Sequence, residues 1–366
     1  MIITDLSGQW EVLLDESKAD VLPDKYPDRI NLPDSTSNAG LGRFNTEIEY
    51  GCLTDLHKFE GFAWFRRIIE ITPEMEERNL TLFLERTRKT RVYLDGKPLE
   101  DCSSLCAPHR CSLTGTAAGK HELVIRVDNT DYPTGGGHLT SRDTQTNWNG
   151  IVGRIELQAY HAYAQYVYAF AGDDLRSLHV RAEIVGENAG TAEIRVYDDE
   201  REYGSAAVEF TDGKPVECDI ALPEDVPLWS DDSPDLVTLE VAVGGDIRQL
   251  KVGIRRLSHD DRTLLVNGRQ AFLRGKHDGM VFPATGYMPT DVDSWLEFFG
   301  KLAEYGINHV RYHTCCPPDE AFTAADRLGI YLQPELPFWG TIPDKFGAEH
   351  EFLRDEGWRI LREFGH

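Results

Sequence analysis

The sequence lacks several features that would each have named a class. No apolar run approaches the ~20 residues of a membrane-spanning helix, so a membrane is not expected as a partner. There is no basic excess: 38 Lys and Arg stand against 62 Asp and Glu, for a net charge of −24. That balance speaks against nucleic acid and against an anionic membrane surface. The start, MIITDLSGQW, has neither a basic segment nor an apolar one behind it. No signal peptide is therefore expected, and a cytoplasmic location is. Nor is there a disulfide framework. The seven cysteines are odd in number, with Cys315 and Cys316 adjacent and Cys102, Cys106 and Cys111 irregularly spaced. Free thiols in a reducing compartment follow. The sharper alternative is zinc on those three cysteines and His109, but the C-x2-C pair typical of such sites is missing. No metal and no cofactor are expected.

What is present is length for two or three domains, 366 residues, and two changes of pattern. Residues 1–160 read as all-β. Short alternating runs such as Leu80–Glu85 and Thr90–Leu94 are punctuated by turn signals, Asp95-Gly96 among them. Such spacing suggests a sandwich or jelly roll. Within it, 129–149 (NTDYPTGGGHLTSRDTQTNWN) has no apolar period and must be a long loop. Loops of that length are often functional. Asp143 and Trp148 are its candidates, a carboxylate beside an aromatic face, which suits a sugar. Residues 161–257 read as a second β unit, with clean alternation over Leu178–Val185. Trp229 in it reads as a core residue.

From Arg262 the pattern changes to strands alternating with helices. Asn267-Gly268 marks a hairpin. Arg274-Gly275-Lys276-His277-Asp278 ends a strand in charge. Thr290 to Asp293 fits a capping box, followed by a helical face of Val292, Trp295, Leu296, Phe299 and Leu302. Ile307–Tyr312 is a strand, Pro317 and Pro318 open a helix that Gly329 stops, and Ile330–Leu332 is the next strand. A helix from Glu349 to Phe364 closes the series. Strands joined by helices imply parallel pairing with right-handed crossovers. Arg311, His313 and Glu335 then fall at strand ends, where parallel α/β folds place their chemistry.

This stretch also resembles a known family. The run V-R-x-H from Val310 to His313, then proline, a helix ending in D-x-x-G-I-Y and a strand ending in P-E-x-P, is similar to glycoside hydrolase family 2. Phe272–Asp278 (FLRGKHD) resembles the family's first barrel strand. L-x-G-x-W at Leu6–Trp10, the strand entry Gly61–Arg67 and NWNGIVGRI at Asn147–Ile155 resemble its N-terminal sugar-binding domain. Leu228-Trp229 resembles its linker sandwich, although Leu236 stands where a tyrosine is usual. The resemblance implies a jelly-roll domain over 1–160, an immunoglobulin-like sandwich over 161–257 and the first part of a (β/α)8 barrel over 258–366. It implies a glycosidase that acts on β-glycosides with retention, using two glutamates about 5 Å apart. Both are expected beyond His366, on the fourth and seventh barrel strands, so the chain alone is expected to be inactive. What it implies here is half a binding site. Arg311 would steady the nucleophile, His313 would contact sugar hydroxyls and Glu335 would be a supporting acid. His277 and Asp278 would bind substrate or cap a loop. The family's galactosidase-like pattern has asparagine where His277 stands. Trp339 would offer a stacking face. The expected partner is a carbohydrate, with a homo-oligomer left open. The alternative reading is a non-catalytic carbohydrate-binding or structural β-sandwich protein.

Overall fold

The computed structural model describes residues 1–47, 50, 53–140, 145–211, 213–341 and 347–365. Two antiparallel sheets form its first part. One has six strands, with Gly119–Asp128 between Phe62–Ile71 and Lys89–Leu94. The other has four, with Ile155–Tyr160 between Ile2–Asp5 and Asn79–Leu84. Their inner faces share one core. Trp10, Phe65, Leu123 and Ile125 come from the first sheet, and Leu82, Leu84, Ile155 and Leu157 from the second. Strand alternation explains the sorting. Leu123, Ile125 and Val127 point into this core, whereas Val124 points the other way, onto Trp64 and Tyr93. Asp95 and Gly96, at φ 49° and 77°, make the tight turn that the Asp-Gly pair signals.

A second pair of antiparallel sheets follows. Tyr163–Ala171, Ser177–Val185 and Val216–Ala221 form one. Glu202–Phe210, Gly190–Tyr197, Val237–Val243 and Asp246–Val252 form the other. Ala164, Val180, Ile194, Leu239 and Val241 lie in the shared core.

The last part is parallel. Strands β1 (Gly275–Asp278), β2 (His309–Tyr312) and β3 (Tyr331–Gln333) pair in that order. Helix α1 (Val292–Glu304) joins the first two strands, α2 (Asp319–Leu328) joins β2 to β3, and α3 (Ala348–Phe364) follows. Trp295 and Phe299 are the buried face of α1, and Gly329 ends α2 in the left-handed region, at φ 70°. The cap of α1 differs from the sequence expectation by one residue. Asp291, not Thr290, accepts from Ser294 N, at 2.8 Å. Thr290 instead donates its hydroxyl to the Val152 carbonyl, at 2.7 Å. A contact from the first β part outcompetes the local one.

The parallel segment is fastened to both β parts by polar contacts. Glu356 of α3 is fully buried, and its Oε1 accepts from Ser104 Oγ and from the Leu105 and Cys106 amides at 2.8–3.0 Å. Arg110 forks onto Glu363 at 2.7 and 2.8 Å. Arg86 donates to the carbonyls of Leu105 and Cys316. Trp229 is a core residue with a second task, since its indole N–H donates to the Asp326 carbonyl of α2, at 2.8 Å. Cys102, Cys106, Cys111, Cys218, Cys315 and Cys316 are free. His109 is buried between Thr90 and the Ser104 carbonyl, and no group of described residues could hold a metal ion.

Candidate functional site at the parallel strand ends

Parallel pairing sets His277 beside Arg311, and Arg311 beside Gln333. The chain beyond each strand therefore emerges at one end of the sheet. Glu335 follows β3 there and is held from several sides. Arg311 pairs with its Oε1 at 2.5 Å. Its Oε2 accepts from the Thr314 amide at 2.9 Å and from His313 Nδ1 at 3.2 Å. Its own amide donates to the Cys315 carbonyl, at 2.9 Å. Thr314 takes a left-handed φ of 56°, which turns the post-β2 loop over Glu335. Burial pushes the Glu335 carboxyl up, but the Thr314 amide, His313 and Arg311 outweigh it and hold the group below the usual carboxylate range. Glu335 is thus a fixed carboxylate, an acceptor of hydroxyl protons and not a proton donor near neutral pH.

The imidazole of His313 is the centre of a ring cluster. His277 lies 5.1 Å away, Trp339 5.3 Å and His138 4.9 Å, centroid to centroid. His277 and Trp339 are exposed, so the cluster has an open side with an aromatic face. Asp278 does not join it. Its carboxylate turns back to Lys276 Nζ and to the Met280 amide, both at 2.7 Å, and so closes the loop after β1.

The long loop of the first β part reaches this cluster, but not through the residues its composition suggested. Trp148 is 3% exposed, and the guanidinium of Arg88 lies 4.0 Å over its ring. Its face is taken by that cation, and it forms no wall of the open side of the cluster, the mouth at the strand ends. Asp143 lies outside the described residues. The contact is made by Thr134–His138. The His138 amide donates to Thr314 Oγ1 at 2.8 Å, and Thr134 Oγ1 donates to the Pro337 carbonyl at 3.0 Å. Glycine is required there. A Cβ on Gly136 would sit 2.0 Å from the Trp339 carbonyl oxygen, and its φ is 74°. His138 was missed in the sequence. Its signal was three glycines directly before a histidine in a long polar loop.

The architecture is two pairs of antiparallel β sheets, then parallel βα units with a polar, aromatic-edged cluster at the strand ends. No family model matches the chain. Over 177 residues it is 25% identical to a β-galactosidase of Leuconostoc mesenteroides, a match over 44% of this chain and 17% of that protein. In fold it is similar to the β-glucuronidase of Parabacteroides merdae, with a TM-score of 0.77 at 17% identity over 99% of this chain and 48% of that one. It is likewise similar to a galacturonate-bound β-galacturonidase of Eisenbergiella tayi, described as GH2, with a TM-score of 0.76 at 16% identity over 99% of this chain and 62% of that one. The chain spans between about half and two thirds of the length of these solved structures, and its match covers 17% of the β-galactosidase. The resemblance to glycoside hydrolase family 2 thus holds in fold along the whole chain and in sequence along part of it.

Proposed function

We propose that the chain forms the recognition half of a family 2 β-glycosidase. In this reading residues 1–160 are the jelly-roll domain, 161–257 the immunoglobulin-like sandwich and 258–366 the first βα units of the barrel. The observation that carries it is the fixing of Glu335. One carboxylate is held by Arg311, His313 and the Thr314 amide at the ends of adjacent parallel strands, beside an exposed tryptophan. A pyranose presents hydroxyls that donate and accept, and an apolar ring face. Glu335 offers an acceptor, Arg311 and His277 offer donors, and Trp339 offers the face. Arg311 also has the forked geometry to steady a second carboxylate arriving from outside this sheet.

Retaining hydrolysis would need an acid/base and a nucleophilic glutamate about 5 Å apart. Glu335, held ionised and fixed in place by Arg311, His313 and the Thr314 amide, serves neither proton transfer nor attack in this proposal and keeps only its acceptor role. The chain on its own therefore binds but does not turn over. Purified chain should leave nitrophenyl β-galactoside, β-glucuronide and β-mannoside intact, since the acid–base contribution alone is about 10²–10⁴-fold. Turnover that survives removal of trace glycosidase would refute this. Binding of the matching methyl glycosides, followed by calorimetry, should weaken about fivefold or more in His313→Ala, the loss of one half-buried polar contact. Unchanged binding in that variant would move the site elsewhere.

A further inference from the structure

A second cluster of reactive groups lies outside the mouth, around Cys102. This residue ends the strand Lys97–Cys102, an edge of the six-stranded sheet. It is half-buried, and its register partner is Thr90. Thr90 Oγ1 lies 2.8 Å from Nδ1 of the buried His109. His109 Nε2 donates to the Ser104 carbonyl, at 2.8 Å. A carbonyl only accepts, so Nε2 carries a proton. The Thr90 hydroxyl accepts as well as donates, so Nδ1 can carry a second. The ring can therefore be charged without losing either bond. The Cys102 thiol meets this ring and the Ser104 amide, with the Arg359 guanidinium of α3 nearby. Burial opposes the thiolate, but His109, the Ser104 amide and Arg359 outweigh it and hold Cys102 below the usual thiol value. Burial likewise opposes the charged ring, but Cys102, the Ser104 carbonyl and Glu356 raise His109 above the usual imidazole value. Thiolate and imidazolium thus support one another. The other described cysteines differ. Burial pushes Cys106 up to about 12, and it pushes Cys111, Cys218, Cys315 and Cys316 up as well.

We propose that Cys102 is a modification site, a thiol oxidised by small hydroperoxides, and that the Glu356 fastening reports its state. In the step, the Cys102 thiolate attacks the outer oxygen of the hydroperoxide. An S–O bond forms and the O–O bond breaks. Sulfur gives up two electrons, and the hydroperoxide takes them. The departing alkoxide, or hydroxide where the oxidant is hydrogen peroxide, takes the proton of His109 and leaves as an alcohol or water. A sulfenic acid remains on Cys102. An electropositive, partly exposed thiolate is the setting this chemistry needs. The link to the fold is Ser104. Its amide faces Cys102, its carbonyl holds His109, and its hydroxyl donates to Glu356 Oε1. Arg359 couples from the other side, pairing with Glu356 Oε2 at 3.2 Å. The added oxygen and the lost charge disturb both neighbours, so oxidation slackens the hold of the first β part on α3. The site uses no residue of the mouth and stands whether or not a sugar binds there.

The test is peptide mass spectrometry on the purified full chain, after hydrogen peroxide with dimedone, which traps sulfenic acid, and in parallel after limiting iodoacetamide. Both reagents should label Cys102 about tenfold or more faster than Cys218, the half-buried thiol that burial and Asp219 keep protonated. His109→Gln keeps a donor for the Ser104 carbonyl but cannot carry the charge, and it should bring the Cys102 rate down to near that of Cys218. Hydrogen exchange across α3 should rise in the peroxide-treated chain. It should not rise in Cys102→Ser treated the same way. The proposal is overturned if Cys218 is labelled as fast as Cys102 in the parent chain, a comparison that needs no variant. It is also overturned if His109→Gln leaves the Cys102 rate unchanged, or if the treated parent and treated Cys102→Ser exchange equally along α3.

Discussion

The strand Gly119–Asp128 pairs along its whole length with Phe62–Ile71 and over six residues with Lys89–Leu94. Strand β3 has three residues, and one neighbour in its sheet. The first β part is held by long ladders around an apolar core. The parallel segment buries Trp295, Phe299 and Tyr312, yet leaves Trp358 60% and Leu361 55% exposed on α3. Its strands are too short to hold it by sheet alone. Much of its attachment is polar and long-range: Glu356 onto Ser104–Cys106, Arg110 onto Glu363, and Asp231 between Asn308 and Tyr331. The comparison teaches that strand-end chemistry is kept in place from the β parts. Breaking the fastening should loosen the mouth before it melts the sandwiches.

The largest effect is expected at Glu356. Glu356→Ala removes the acceptor for two backbone amides and a hydroxyl, and leaves them buried. Breaking such a buried charged contact costs about 3–5 kcal/mol. Hydrogen exchange should show the parallel segment opening on its own in the variant, with the first β part unchanged. Glu356→Gln keeps one acceptor oxygen and should lose less. Equal exchange along the whole variant chain would show a single cooperative unit and erase the contrast drawn here.

The contrast also explains what could be read in advance. The helices and parallel strands were legible because their apolar spacing is local: Trp295 and Phe299 on α1, Gly329 at the end of α2. The meeting of Arg311, His313 and Glu335 was legible because parallel strands end on one side. What depends on distant partners was not. Nothing near Trp148 reveals that Arg88 covers its ring, so an aromatic in a polar loop read as a platform. Nothing near Thr290 reveals the Val152 carbonyl that draws it from the cap. Glu356 sits on a helix like any solvated acid, and its partners lie some 250 residues away in sequence.

A smaller effect is expected where the loop meets the mouth. Gly136→Ala places a methyl against the Trp339 carbonyl and puts alanine in the left-handed region. The strain is about 1–3 kcal/mol, and local lifting of the loop relieves it. Sugar affinity at the mouth should fall while the global Tm moves by only a few degrees, because the sandwich ladders are untouched. If Gly136→Ala binds methyl glycosides as the parent does, the loop is no part of the mouth.

The third test sharpens the comparison at the boundary itself. Glu85 of the first β part and Glu320 of α2 lie together beside Arg154. Arg154 holds Glu85 through its Nε and its backbone amide, at 3.1 and 2.9 Å. Glu320 is buried, and its Oε2 has no hydrogen-bond donor among the described residues. Burial opposes ionisation of Glu85, but Arg154 prevails and keeps its pKa below the ordinary value. Burial and then the Glu85 charge push Glu320 up to about 8. The pair thus shares one proton at neutral pH, with Asp319, itself raised by burial, packed nearby. The sign follows from linkage. Below the ordinary glutamate range Glu320 is protonated in both folded and unfolded chains, and the boundary is at full strength. Between there and about pH 8 the unfolded chain releases a proton that the folded chain keeps, so stability falls as pH rises. Glu320→Gln keeps the shape and a donor toward Glu85 but has no proton to lose. It should be more stable than the parent at pH 8 and about equal to it at pH 4 in urea unfolding. The gain should appear as tighter hydrogen-exchange protection of α2, and not of the strand Phe62–Ile71. A variant no more stable than the parent at pH 8 would mean that Glu320 is already ionised in the folded chain, and that the boundary carries its charge without penalty.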